Sequence, residues 1–163
     1  MLNILNSVIS LLSPEKRKEA KRRPRTVNLQ KYKTTVIYEI RSINYPEIFY
    51  IGHTINKNTR FEEHKKEASD GKNNHLKSRY MRLIGVDNFT FKIIKRFSCN
   101  NRKEAEKVEM EYIKQLSPCM NTEFVSYEQK KINELKYIQF SKKVEFSVLY
   151  TFGKELLRSL KII

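Results

Sequence analysis

Tyr38, Tyr50, Arg60, His64 and Glu109 are the side chains whose types and spacing suit chemistry. Arg60 offers a planar, permanently charged donor fork that matches the oxygens of a phosphate. His64 lies one helical turn further on and can hold or pass a proton near neutral pH. Glu109 falls within an apolar helical stripe, where a carboxylate is costly unless it has a partner. One carboxylate can hold a hard divalent ion that keeps most of its waters, as magnesium prefers. Tyr38 can take a proton from water only as a phenolate or through a relay to His64 or His53, because an ordinary phenol has a pKa near ~10. Cleaving a phosphodiester needs an activated water, a place for negative charge and a leaving oxygen that can depart. Taken singly, each residue has an ordinary reading. Strand tyrosines are usually core aromatics, Arg60 and His64 could be surface groups, and Glu109 could be a buried partner for Arg60. The combination is what points to a site.

These side chains need elements to hold them. Residues 34–41 are β-branched and alternating, which predicts a strand, and residues 48–52 predict a second, joined to the first as an antiparallel hairpin. Gly52 closes the second strand, where a missing side chain lets backbone or ligand approach. Thr59-Arg60-Phe61-Glu62 fits a capping box and predicts a helix to about Ser69, with Arg60, Phe61, His64 and Ala68 on one face. Residues 73–84 predict another helix, with Leu76, Tyr80, Leu83 and Ile84 on its apolar side and Gly85 as its stop. Residues 88–97 alternate as a third strand. Residues 102–116 predict a helix with the stripe Ala105, Val108, Tyr112 and Leu116, and Pro118 and Asn121 close the segment. Residues 127–140 read as helical, with Ile132, Leu135 and either Ile138 or Gln139 near one side. Gly153 interrupts the apolar and basic stretch 144–163, where Leu156, Leu157, Leu160 and Ile163 could pair with an N-terminal helix. His75 has no supporting pattern and reads as structural.

The bulk numbers suggest the partner. The chain has 163 residues and a formal charge of +15, from 33 Lys+Arg against 18 Asp+Glu. That excess points to a polyanion: nucleic acid first, an anionic membrane surface second. No apolar run approaches a membrane span, so stable membrane insertion is not expected. Residues 1–12 predict a short amphipathic helix, and a basic arm follows with Lys21, Arg22, Arg23 and Arg25, which reads equally as a solvated linker or as an arm that tracks a phosphate backbone without reading sequence. Cys99 and Cys119 lack metal-ligand spacing and read as thiols of a reducing compartment. The expected location is therefore intracellular, cytoplasm or nucleus. Basic residues follow the apolar start rather than precede it, the wrong order for a secretory signal. A mitochondrial presequence is the alternative. The Lys-, Asn- and Ile-rich composition suits an AT-rich genome, such as that of a phage, virus or protist.

Val36-Ile37-Tyr38, Tyr50-Ile51-Gly52, Arg60, His64, Glu109-Met110-Glu111-Tyr112-Ile113 and Asn121, in that order and in those contexts, resemble the GIY-YIG nucleases. The resemblance covers residues 34–122. It implies an α/β (α+β) fold, a small three-stranded antiparallel sheet flanked by helices, that cuts nucleic-acid phosphodiesters, usually DNA, with one Mg2+ or Mn2+. By the same resemblance Tyr38 is the catalytic tyrosine and Tyr50 its pocket neighbour. Arg60 steadies phosphate charge, His64 sits where relatives carry histidine or tyrosine, Glu109 is the metal ligand and Asn121 the structural closer. Val36 departs from the family's usual glycine, and His53 stands where some relatives place a lysine that handles proton or phosphate.

The expected organisation is a basic, amphipathic arm over 1–33, a nuclease domain over 34–122 and a helical extension over 123–163. The expected activity is metal-dependent hydrolysis of DNA by an endonuclease, with a homing, restriction or repair role left open. The rivals are a catalytically inactive nucleic-acid-binding module of the same fold and a ribonucleoprotein assembly factor. Sequence leaves the oligomeric state open.

Overall fold

A computed structural model describes residues 29–160. The predicted helix over 1–12, the basic arm with Lys21, Arg22, Arg23 and Arg25, and Ile163 lie outside the described residues. A 3-10 turn, Leu29–Tyr32, leads into β1 (Thr35–Ser42) and β2 (Phe49–Thr54). Helices α1 (Lys57–Ser69) and α2 (Leu76–Ile84), a 3-10 turn at Val86–Asn88, strand β3 (Phe89–Phe97), and helices α3 (Arg102–Leu116) and α4 (Tyr127–Ser159) follow. The three strands form one antiparallel sheet, as expected, and its order is β2-β1-β3.

Strand β1 is buried along most of its length because helices cover both faces of the sheet. On one face Tyr38 and Ile40 pack with Ala68 of α1 and with Leu76, Tyr80 and Met81 of α2. On the other, Ile37 and Ile51 pack with Ile113 of α3, with Val108 and Tyr112 beside them. A bulge in β3 serves both cores. Tyr38 pairs with Ile93 while Ile37 pairs with Lys95, so Ile94 is the extra residue. The extra residue reverses the alternation of the strand. Phe91 therefore joins the Tyr38 core, whereas Ile94 and Phe97 join the Ile37 core.

Several boundaries differ from the sequence reading, each for a local reason. Helix α1 opens at Lys57 rather than at a Thr59 capping box. The Thr54 hydroxyl accepts from the Asn56 amide and turns the chain early, and Thr59, already inside the helix, donates to Glu63. Helix α2 begins at Leu76, because Asn73 accepts from the His75 amide and holds residues 73–75 in a turn. Gly85 does end it: at φ 96° it takes a conformation that suits glycine, and its amide donates to Met81. On α3 the buried line is Ala105, Glu109 and Ile113, and Leu116 is exposed.

Helix α4 departs most from expectation. It runs unbroken through Gly153, since one glycine costs only about 1 kcal/mol in a helix interior. Its inward face is not Ile132, Leu135 and Ile138, which are exposed, but Asn133, Tyr137 and Phe140. Tyr137 meets Tyr80 edge-on, Phe140 meets Tyr45 edge-on, and Glu134 pairs with Arg79. The first half of the extension thus completes the Tyr38 core. No helix among the described residues is long and apolar enough to cross a membrane.

Candidate active site

Tyr38 is the centre of the site, and the sheet register explains why glycine lies opposite it. Tyr38 and Gly52 are cross-strand partners on β1 and β2. A Cβ on Gly52 would lie 2.5 Å from the Tyr38 Oη and 2.8 Å from the Tyr50 ring. The missing side chain makes room for the phenol rather than for a ligand, and β2 does not end there but continues to Thr54. Gly52→Ala is expected to push the phenol off its partners. A displacement of about 1 Å at a reacting group costs on the order of 10²-fold in rate, and overpacking costs about 1–3 kcal/mol. Single-turnover cleavage and a thermal melt of the variant check both effects.

The Tyr38 Oη lies 2.7 Å from Nε2 of His64 and 3.3 Å from Nε of Arg60. The α-helical spacing from 60 to 64 brings cation and imidazole to the same oxygen, and Tyr50 packs edge-on against the imidazole. His64 is fully buried, and its Nδ1 meets Nζ of Lys77, with a Glu67 oxygen at 3.4 Å. Burial, then the charges of Lys77 and Arg60, push the His64 pKa down to about 2. The ring is therefore neutral at physiological pH. Burial lifts the Tyr38 phenol to about 12, against the opposing charge and hydrogen bond of Arg60. Tyr50 is raised for the same first reason, with Tyr38 and Glu109 adding to it.

The depressed His64 pKa has a consequence for stability. Below pH 6.5 an unfolded chain protonates this histidine, while the folded chain does not until about 2. The unfolded state then binds more protons, so stability falls as pH falls, by about 1.4 kcal/mol for each unit below the unfolded pKa. Urea midpoints at pH 7 and pH 5 are expected to fall more for the wild type than for His64→Gln.

Glu109 reaches the site from the other face of the sheet. It is 5% exposed and hydrogen-bonds through Oε2 to Nδ1 of His53, which lies one residue past Gly52 and so points to the α3 side. Its buried partner is thus His53 and not Arg60, which instead bonds to Glu63 and Tyr38. The structure joins Tyr38, Tyr50, Arg60 and His64 directly. It sets the Glu109–His53 pair on the other face of the sheet, near enough for the Glu109 charge to act on both tyrosines. Strand β2 is the sheet edge, and Asn121 completes it: its amide accepts from Ile51 N–H at 2.9 Å and donates to Ile51 C=O at 2.8 Å. Asn133 of α4 donates to the Asn121 carbonyl at 2.9 Å, a support that the sequence reading missed. Val36 is buried and lines a separate hollow with Lys33, Lys57 and Arg96.

Lys77 and Glu67 are the site residues absent from the sequence reading. Both line a cavity of about 220 Å³ beside Tyr50 and Arg60, whose rim includes His75. The signal for Lys77 was position: it precedes Met81 by one helical turn, on the buried face of α2. Cys99 and Cys119 are free and buried.

A comparison with protein families matches residues 34–124 to the GIY-YIG catalytic domain. The match spans the sheet, helices α1 to α3 and the Asn121 clamp. The chain belongs to the GIY-YIG family, whose domain is a nuclease domain that engages nucleic acid. No curated protein and no solved structure gave a match.

Proposed function

We propose that the protein is a metal-dependent endonuclease that hydrolyses DNA phosphodiesters at the β2 edge. The observation that carries the reading is the convergence of Tyr38, His64 and Arg60 on one oxygen, with Glu109 across the same edge. No group of three or more metal-binding side chains occurs among the described residues, so an ion here would keep waters and share substrate oxygens. Glu109 fits that demand: one oxygen is committed to His53, and the other makes no hydrogen bond among the described residues. Mg2+ or Mn2+ bound there would neutralise charge on the phosphate and its leaving oxygen. Arg60 binds the scissile phosphate through its guanidinium, and Tyr38 orients and deprotonates the attacking water. His53 fixes the Glu109 carboxylate. The charge of +15 supplies non-specific, salt-sensitive affinity for the backbone. Free thiols at Cys99 and Cys119 accord with an intracellular enzyme.

The test is cleavage of supercoiled plasmid by the purified full chain with Mg2+, Mn2+ or chelator. Nicking that needs the ion and increases with protein supports the reading. Tight, salt-sensitive binding without nicking on plasmid, branched DNA or RNA would replace it with the non-catalytic binding module.

A further inference from the structure

The Tyr38 phenol must lose its proton to serve as a base, and the neighbouring imidazole is a poor place to keep one. A chain of contacts leads past it. From Tyr38 Oη the chain runs to His64 Nε2 at 2.7 Å, and from His64 Nδ1 to Lys77 Nζ at 2.5 Å. It ends at Glu67 Oε2, 3.2 Å from Lys77 Nζ. His64 is 0% exposed, so solvent does not compete for its nitrogens, whereas Lys77 and Glu67 border the 220 Å³ cavity. We propose that Lys77 is the terminal proton store of this site, taking through His64 the proton that Tyr38 gives up. The inference rests on the nuclease reading for its purpose, but not for its test.

The step balances. The Tyr38 O–H bond breaks and its proton goes to His64 Nε2, while the Nδ1–H bond breaks and that proton goes to a neutral Lys77 Nζ. The products are a phenolate, the other neutral tautomer of His64 and an ammonium. No imidazolium forms on the way, which matters for a ring whose burial and Arg60 neighbour disfavour the charged form. Lys77 suits the task because burial, the leading influence, lowers its pKa and so makes the neutral amine accessible. The groups facing it are Glu67 and Arg60 of α1, the Tyr50 ring of β2 and Glu123 after α3. Glu67 steadies the ammonium once formed. In the product state Tyr38 Oη faces two donors, His64 Nε2–H and Arg60 Nε–H, an arrangement that favours phenolate. Lys77 acts through His64 and is a positioning residue.

The experiment combines histidine 15N NMR with single-turnover cleavage of plasmid in Mg2+, on the full chain and on Lys77→Met and Lys77→Arg. His64 is one of 3 histidines, so substitution of the others assigns it. Where Lys77 is charged, the wild-type ring is expected as the Nε2–H tautomer, because an ammonium can only donate to Nδ1. Lys77→Met should turn it to Nδ1–H, aimed at Glu67. Lys77→Arg should keep Nε2–H, since guanidinium also only donates, yet it cannot store a proton. Both variants should therefore cleave about 10²-fold more slowly, the lower bound for a lost proton-transfer function, with DNA affinity unchanged. Their rates should keep rising at alkaline pH where the wild type levels off. Wild-type rates in Lys77→Arg, or an unchanged tautomer in Lys77→Met, would overturn the proposal. If Lys77→Met fails to fold, Lys77→Arg decides by rate. A wild type that never cleaves defeats the nuclease reading alone, and the tautomer of the variants then decides the wiring.

Discussion

Glu109→Gln is expected to lower single-turnover cleavage by at least about 10³-fold, the equivalent of some 4 kcal/mol at the transition state. The substitution keeps shape and one hydrogen-bonding oxygen for His53 but removes the negative charge, the feature a divalent ion requires. The fold should survive, because the Ala105–Glu109–Ile113 line keeps its volume against β2. DNA affinity measured with chelator present should hold or rise slightly, since a like charge has left a phosphate-binding surface. Glu111, two residues on, is exposed, and Glu111→Gln should leave rate and affinity unchanged. The contrast between these two substitutions on one helix separates a ligand from general acidity. Cleavage by Glu109→Gln within tenfold of the wild type, in Mg2+ and in Mn2+, would rule out Glu109 as a metal ligand.

The sequence carried the sheet and the directly joined part of the site because both obey short periods. Tyr38 and Tyr50 lie in strands with alternating or β-branched patterns, and Arg60 and His64 differ by one helical turn, so local geometry alone places them. What it did not carry depends on contacts distant in sequence. The Glu109–His53 pair joins positions 56 residues apart, and no periodicity tells whether a buried carboxylate chooses His53 or Arg60. The same holds for the inward face of α4: Ile132, Leu135 and Ile138 are the better apolar stripe, yet the neighbours available are the Asn121 carbonyl, Tyr80 and Tyr45, which select Asn133, Tyr137 and Phe140. The Gly52 reading went wrong in an instructive way. Close approach was correct, but the approaching group is the protein's own Tyr38 phenol. The bulge at Ile94, which lets one strand feed both cores, has no turn residue to announce it.

Tyr38→Phe isolates the oxygen on which the site converges. The ring should keep its place, stacked on Phe91 with centroids 4.7 Å apart, so the cavity and the Gly52 contact persist. Cleavage should fall by about 10²–10⁴-fold, the range for loss of a positioned proton-transfer group. Affinity for DNA should be retained, because Arg60 keeps its charge. Stability should respond with a definite sign. Below pH 10 the variant leaves the buried His64 nitrogen without its partner, a cost of about 1–3 kcal/mol. Above pH 10 the unfolded wild type ionises this phenol while the folded protein holds it neutral to about 12. The unfolded state has then shed a proton that the folded state retains, and wild-type stability falls as pH rises through that window, by about 1.4 kcal/mol per unit. The variant lacks this loss, so its deficit should narrow between pH 9 and pH 11 in urea titrations. A deficit that stays constant across that range would mean that Tyr38 titrates like an exposed phenol, and the enclosed, Arg60-assisted base would have to be abandoned. A rate unchanged by Tyr38→Phe, with the narrowing present, would instead keep the buried phenol as a structural group and move the proton path elsewhere.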